Sequence, residues 1–374
     1  MNILFLTRFD PNDITNWSGT LYKIYHKLKE KHSIEIIGNE ILKQVETFTR
    51  GNFSESTFIP IDRYIKNFNK VFFERINFIE FDLIFFGDLF FIPLDVNIPV
   101  VLLSDMTYEQ VKIYYTKPDE RNIEPCLNLE KLILEKAFKI IYSSEWIKEK
   151  AMEFYNVDPE KIKVVEFGAN IPTPQNYTFE INMDVCRLVF IGKDWERKGG
   201  DKVLEMYKIL KQDGFPCTLT IIGSTPEEEQ EEDENLTIIP FLDKTRKEHS
   251  ERLSDILSTS HFFVLPTRFD AFGIVFCEAS AYALPSITAN VGGVGQAVKD
   301  GKNGYLLPAD ATANDYAEKI KSIFNDKENY IKLRQSSRIE FETRLNWDVW
   351  NELVNKILED AVSEWKLQKM NEHE

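Results

Sequence analysis

The strongest constraint in this chain is a rhythm: short apolar, β-branched runs alternate with amphipathic stretches, once before residue 171 and again after residue 177. Such alternation is the pattern of βα units and parallel sheets; sandwiches and helical bundles do not produce it. In the first half, 3–6, 34–37, 83–86, 100–103 and 139–142 read as strands, with helices at 20–31, 127–138 and 145–155. Segment 171–177, Ile-Pro-Thr-Pro-Gln-Asn-Tyr, has two prolines and no periodicity, and reads as a linker. Beyond it, strands are expected at 188–192, 218–223, 237–239, 262–265 and 286–288. Apolar residues at helical spacing (Trp350, Leu353, Ile357, Ala361, Trp365) predict a long final helix from 347 to 370. At roughly 150 residues per domain, a chain of 374 holds two doubly wound α/β domains, each with its own core. The expected division is 1–172, a linker at 173–185, a second domain at 186–345 and a closing helix at 346–374.

A hydrophobic fraction of 43% sets aside disordered and collagen-like chains. A net charge of −16 argues against nucleic acid as a partner, since a nucleic-acid binder presents a basic face. Cys126, Cys186, Cys217 and Cys277 form no Cys-x-x-Cys pair, which fits buried thiols in a reducing compartment. The apolar run at 1–8 is too short for a signal peptide, and the longest apolar stretch, 83–103, is broken by Gly87, Asp88, Pro93, Asp95, Asn97 and Pro99, too soon to span a bilayer. The expectation is therefore a cytoplasmic protein, at most peripheral to the inner face of a membrane. The acidic run at 225–235 reads as a solvated loop or a fraying helix end.

Two segments carry chemistry. In the first, Pro266-Thr-Arg-Phe-Asp-Ala-Phe-Gly-Ile-Val-Phe-Cys-Glu278 leaves a strand, turns at Gly273 and enters a helix. Asp270 and Glu278 bracket the turn, so both can face the crevice at the carboxyl ends of the strands, and the free amides of Phe272, Gly273 and Ile274 suit a phosphate or sugar oxygen. A helix whose acidic first turn is stabilised by its own dipole would look the same. In the second, Gly192-Lys-Asp-Trp-Glu-Arg-Lys-Gly-Gly200 places Lys193, Arg197 and Lys198 beside a helix start, able to neutralise a diphosphate or simply to form a charged surface turn. Gly19, in Asn16-Trp-Ser-Gly-Thr20, permits close backbone approach to a ligand, although capping by Ser18 or Thr20 explains that segment equally. No Asp-x-Asp occurs, and the five histidines lack zinc-ligand spacing, so no metal is expected.

The order Gly192-Lys-x-x-x-Arg-Lys-Gly199, then Asp270-x₇-Glu278 enclosing Phe272-Gly273, then Leu284-Pro-Ser-Ile-Thr-Ala-Asn-Val-Gly-Gly293 and Asp300-Gly-Lys-Asn-Gly304, resembles the family 4 retaining glycosyltransferases of the GT-B fold. The resemblance is dense over 188–308 and looser over 1–169, where Ser143-Ser-Glu-Trp146 and Phe167-Gly-Ala-Asn170 contribute. It implies two Rossmann-like domains facing a central cleft, the last helix crossing back to the first. It also implies transfer of a sugar, with retention and without metal or other cofactor, from a nucleoside-diphosphate sugar (a UDP-sugar favoured) to a hydroxyl. The acceptor would be a saccharide, or lipid- or protein-linked, in bacterial polysaccharide or glycolipid synthesis.

Carried over by position, the resemblance puts Lys193, Lys198 and Arg197 on the donor diphosphate, Glu278 on the ribose hydroxyls and Asp270 on the transferred sugar. The backbone of Phe272, Gly273 and Ile274 would meet sugar hydroxyls or phosphate, Phe241 and Leu242 would lie beside the base, and Gly19 would close over the donor. Where family members often have a histidine, this chain has Ser104-Asp-Met-Thr107, which makes Asp105 the candidate for positioning the acceptor; an Asx turn there is the alternative. Three departures from the usual pattern are Asp270 in place of glutamate, Lys193 in place of arginine and Gln296 in place of glutamate. The basic and aromatic stretch 63–75 is either a core-packed helix or an element resting on anionic lipid. Rival functions are a catalytically inactive partner subunit and a sugar-nucleotide epimerase of the same architecture; a simple phosphate-sugar binding module fits the two half-sites less well.

Overall fold

The computed structural model describes residues 1–38, 63, 66, 67, 69–71, 74, 76–87, 96–114, 120–174, 177–226 and 232–372. Positions 64, 65, 68, 72, 73 and 75 of the 63–75 stretch, on which the lipid-contact expectation falls, lie outside the described residues, as do 227–231 of the acidic run. The chain divides into two units, Met1–Val165 with Asn351–Glu374, and Glu166–Trp350.

In the first unit β1 (Asn2–Leu6), β2 (Ser33–Ile37), β3 (Leu83–Phe86), β4 (Val100–Ser104), β5 (Lys139–Tyr142) and β6 (Ile162–Val164) form a parallel sheet in the order β2-β1-β3-β4-β5-β6. The central strands are apolar on both faces because helices cover both: Ile3, Leu4 and Phe5 are fully buried, as are Leu83, Ile84 and Phe85. Helix Thr20–Lys29 buries Leu21, Ile24, Tyr25 and Leu28, the i, i+3, i+4, i+7 face that an amphipathic helix presents to a sheet. Helix Glu145–Tyr155 starts at Ser144, whose hydroxyl accepts from the Ile147 amide, and ends at left-handed Asn156.

In the second unit β7 (Cys186–Ile191), β8 (Cys217–Ile222), β9 (Leu236–Ile239), β10 (Phe262–Leu265), β11 (Ser286–Ala289) and β12 (Gly304–Leu307) form a second parallel sheet, ordered β12-β11-β10-β7-β8-β9. That is the doubly wound order, and its reversal between β7 and β10 opens a crevice at their carboxyl ends. The ten expected strands are present with small shifts at their ends; β6 and β12, both at sheet edges, are additional.

The second unit begins at Glu166, ahead of the boundary expected at 172, because the intervening residues pack within it. The Phe167 ring stacks on Trp347 at 5.8 Å, and Asn170 Oδ1 accepts from Trp347 Nε1 at 3.0 Å. The stretch read as a linker is also tied down where it is described. Arg334, 1% exposed, donates to the Thr178 carbonyl at 3.2 Å, and His261 Nε2 donates to the Asn182 carbonyl at 2.8 Å.

Helix Trp347–Asn371 contributes Asn351 onward to the first unit, where Trp365 meets Phe138 edge-on and Asn351 donates to Glu30. Its buried stripe is Trp350, Val354, Leu358 and Ala361 rather than the expected series through Leu353 and Ile357, and Leu353 is 45% exposed. Both series have helical spacing; packing selects the one that also buries Asn351 and Asn355. The four cysteines are buried and free. Among the described residues no helix is long and apolar enough to cross a membrane.

His261 Nδ1 accepts from the Arg187 amide at 2.9 Å, so with Nε2 donating the ring is neutral. Burial, assisted by the charges of Arg187 and Arg334, pushes its pKa down to about 3 from 6.5. The unfolded chain therefore binds the proton more tightly, and this contribution to stability, complete above pH 6.5, is lost as pH falls toward 3. At about 1.4 kcal/mol per pH unit, roughly 2 kcal/mol is lost by pH 5. His261→Gln should flatten the fall in urea-unfolding stability between pH 7 and pH 5 by that order, whereas parallel profiles for variant and parent would refute the assignment.

Candidate active site

The crevice of the second unit is built from the loops that leave β7, β9, β10 and β11. After Ile191 the chain passes Gly192 and Lys193, and Asp194 starts the short helix Trp195–Lys198 by accepting from the Arg197 amide at 3.0 Å and from Arg197 Nε at 2.9 Å. Gly199 (φ 74) then turns the chain into helix Gly200–Gln212; a Cβ there would lie 2.2 Å from the Pro266 carbonyl oxygen, so only glycine lets the β7 loop rest on the exit of β10. The two loops are laced together by the Arg268 amide donating to the Arg197 carbonyl at 2.7 Å, and by Thr267 Oγ1 donating to the same carbonyl at 3.2 Å.

At the centre, Lys198 Nζ lies 2.7 Å from both oxygens of Asp270, and the two residues are 9% and 6% exposed. Arg197 Nη1 donates to the Phe269 carbonyl at 3.0 Å and lies 3.6 Å from Asp270 Oδ1. The backbone of Asp270 is fixed from the third loop. Its carbonyl accepts from the Gly293 amide at 2.9 Å, and Gly292 (φ 53) approaches so closely that a Cβ would lie 2.3 Å from that oxygen. Beyond Asp270, Phe272 is buried edge-on to Phe167, and left-handed Gly273 begins helix Ile274–Ala281, whose first amides have no acceptor within the helix.

On that helix Glu278, 3% exposed, accepts from Lys244 Nζ at 2.7 Å. Lys244 stands on the loop after β9, which Asp243 shapes by accepting from the amide and hydroxyl of Thr245. In the same loop Leu242 is buried, while Phe241 is 56% exposed with Lys193 Nζ 5.6 Å from its ring centre.

Thus Lys193, Arg197, Lys198, Asp270, Phe272, Gly273, Ile274, Glu278, Phe241 and Leu242 all belong to loops or helix starts at one end of the second sheet. Lys198 and Asp270, assigned by resemblance to different parts of a donor, are bonded to each other. Lys244 escaped the sequence reading because a lone lysine in a polar turn carries no pattern; only the folded β9 loop brings it to Glu278. Gln296 donates to Glu166 at 2.6 Å within the second unit.

Gly19 and Asp105 belong to the first unit, where Asp105 Oδ2 accepts from Trp17 Nε1 at 3.1 Å. The loop after β4 that carries Asp105 is anchored by Glu130, 2% exposed, whose two oxygens lie 2.9 and 2.8 Å from the Tyr108 amide and which accepts from Tyr155. Burial pushes the Glu130 carboxyl up to about 8, against the opposing bonds from Tyr155 and Tyr108.

Two six-stranded parallel sheets with helices on both faces, the second with this crevice, define the GT-B class. Over 97% of the chain and 99% of the neighbour, the fold matches sucrose-phosphate synthase from Thermosynechococcus elongatus with a TM-score of 0.70 at 16% identity. It matches Anabaena HepE, solved in complex with UDP, with a TM-score of 0.65 at 13% identity over 96% and 100% of the two chains. Residues 179–340, which lie within the second unit, match the family described as glycosyl transferases group 1. Among curated relatives, the capsular polysaccharide biosynthesis glycosyltransferase CapM of Staphylococcus aureus is 26% identical over 254 residues, 62% of this chain and 65% of that protein. A D-inositol 3-phosphate glycosyltransferase of Gordonia bronchialis is 22% identical over 245 residues, 60% of this chain and 53% of that protein. The chain thus spans between about half and two thirds of the length of these relatives.

Removing one member of a buried ion pair strands the other charge, at a cost of about 3 kcal/mol or more. Lys198→Met and Asp270→Leu should each lower urea-unfolding stability by about that much, and the double variant should regain most of the loss. Additive losses would show that the pair is not coupled.

Proposed function

We propose that the protein transfers a sugar from a nucleoside-diphosphate sugar, a UDP-sugar by preference, to an acceptor hydroxyl in polysaccharide or glycolipid synthesis. The observation that carries this reading is the convergence of Lys193, Arg197 and Lys198 with Asp270 and the helix start at Gly273 on the crevice between β7 and β10. The UDP complex of HepE and the polysaccharide role of CapM support it.

In this mechanism the three cations and the first amides of helix Ile274–Ala281 stabilise the diphosphate as it leaves, the part a bound metal plays elsewhere. Glu278, with one oxygen held by Lys244, offers the other to the ribose hydroxyls. Asp270, fixed by Lys198 and through its carbonyl by Gly293, accepts from hydroxyls of the transferred sugar. The leaving phosphate takes the proton of the acceptor hydroxyl on the same face of the sugar, so the anomeric configuration is retained. The acceptor is a saccharide or a lipid- or protein-linked one met at the cytoplasmic face of a membrane. The mutual bond of Lys198 and Asp270 favours one rival, a homologue that binds a donor without transferring it.

The test is a thermal-shift panel of UDP, GDP, ADP and dTDP with their sugars, with and without EDTA. One nucleotide at 100 times its Kd should stabilise the protein by about 2.7 kcal/mol, insensitive to EDTA. Glu278→Ala and Lys193→Ala should abolish that stabilisation, and NMR of the product should show a retained anomer. A panel with no shift would overturn the donor site; a shift with neither transfer nor hydrolysis would establish the non-catalytic rival.

A further inference from the structure

The loop after β1 enters helix Thr20–Lys29 through consecutive left-handed residues: Trp17 (φ 47, ψ 41), Ser18 (φ 56, ψ 26) and Gly19 (φ 92, ψ −3). Glycine adopts this conformation freely, but Trp and Ser each do so at a cost of roughly 1–2 kcal/mol, and neither has the short amide or carboxylate that lets Asn or Asp satisfy it locally. A strained pair of this kind persists only where the surroundings enforce it. Upstream the loop is stiffened by Asp10, which accepts from Asn12, and by Asp13, which accepts from the Thr15 amide and hydroxyl at 2.8 and 2.7 Å.

Trp17 itself is gripped from another strand. Its indole Nε1 donates to Asp105 Oδ2 at 3.1 Å, a bond between residues 88 positions apart. Asp105 directly follows β4, and in the sheet β3 lies between β1 and β4, so the bond spans the carboxyl end of β3. The Asp105 side is rigid. Ser104 Oγ donates to the Met106 carbonyl at 2.6 Å and accepts from the Met106 amide, the Thr107 amide donates to Gln110 at 3.1 Å, and the next amide, Tyr108, is held by buried Glu130. The strained segment is thus joined, through the tryptophan as a handle, to a loop that cannot follow it.

We propose that Trp17 and Asp105 are a positioning pair that holds the glycine loop of the first unit in its left-handed form and so sets the place of Gly19. Asp105 then acts through Trp17 rather than on the acceptor. The existence of the latch rests on the first unit alone; its consequence for the donor rests on the glycosyltransferase reading, in which Gly19 closes over the donor. Losing the bond releases the loop, which weakens donor binding and leaves the chemical step in place.

The role requires a hydrogen-bond acceptor at 105, not a charge, and this separates it from direct action on substrate. Asp105→Asn keeps an oxygen for the indole N–H; Asp105→Ala and Trp17→Phe each remove the bond. Hydrogen–deuterium exchange on the free protein should show the amides of 17–21 exchanging about tenfold faster in Asp105→Ala and in Trp17→Phe, no faster in the double variant, and at the parental rate in Asp105→Asn. With UDP-glucose as the probe, KM should rise about tenfold in Asp105→Ala and Trp17→Phe with kcat within twofold, and Asp105→Asn should match the parent. Unchanged exchange in the single variants, or independent effects in the double, overturns the latch. So does a kcat loss in Asp105→Asn equal to that of Asp105→Ala with normal exchange, which would make the carboxylate a group acting on substrate. If the parent does not bind UDP-glucose, the KM arm uses the donor that the nucleotide panel selects, and a parent that binds none overturns the donor reading while the exchange data still decide the latch.

Discussion

The ion pair between Lys198 and Asp270 is the interaction on which the arrangement of the second unit's crevice depends. Two charges nearly removed from water are held together only because the geometry is close to ideal: both carboxylate oxygens sit 2.7 Å from one ammonium, and Arg197 stands 3.6 Å away on the same side. The pair draws the loop after β7 onto the loop after β10 at the point where strand order reverses. Once the loops are in register, Arg197 reaches the Phe269 carbonyl, Thr267 and Arg268 lace the two backbones, and the chain leaving Asp270 is aimed at Gly273 and the helix carrying Glu278. A charged pair this well satisfied is also a preformed polar surface, since the loops need no rearrangement to present cations and amides together.

The sheets were legible in the sequence because their central strands are buried on both faces and so read as unbroken apolar runs, such as Leu83–Phe86 and Phe262–Leu265. The edge strands β6 and β12 were not. Ile162–Val164 has three residues with an exposed Lys163 at its centre, and Gly304–Leu307 starts at a glycine and is only partly buried; their strand character comes from the neighbour each pairs with. The residue types at the crevice could be read from motifs for the same reason that the partnerships could not: a motif is local, whereas Lys198 and Asp270 are 72 positions apart and Lys244 and Glu278 are 34.

The start of the second unit makes the same point from the opposite direction. Prolines and polar residues at 171–177 look like a tether, yet Phe167, Asn170 and Trp347 interlock just ahead of it, and a Cβ on Gly168 would lie 2.5 Å from the Trp347 amide nitrogen. The sequence signal for a linker reports low local propensity for regular structure; it carries no information about residues 180 positions away that supply the packing.

Gly199 and Gly292 press their backbones against the Pro266 and Asp270 carbonyls, with no room for a side chain at either place. These contacts divide the crevice into a floor that tolerates no change of shape and a rim that does. Any Cβ at Gly292 displaces Asp270 itself, so every variant there alters the whole crevice at once. Phe241, at 56% exposure, projects from its loop and can change size without moving the backbone beneath. Divergence in ligand preference among relatives of this chain should therefore concentrate on such rim positions, while the glycine floor persists even where the ligand has changed.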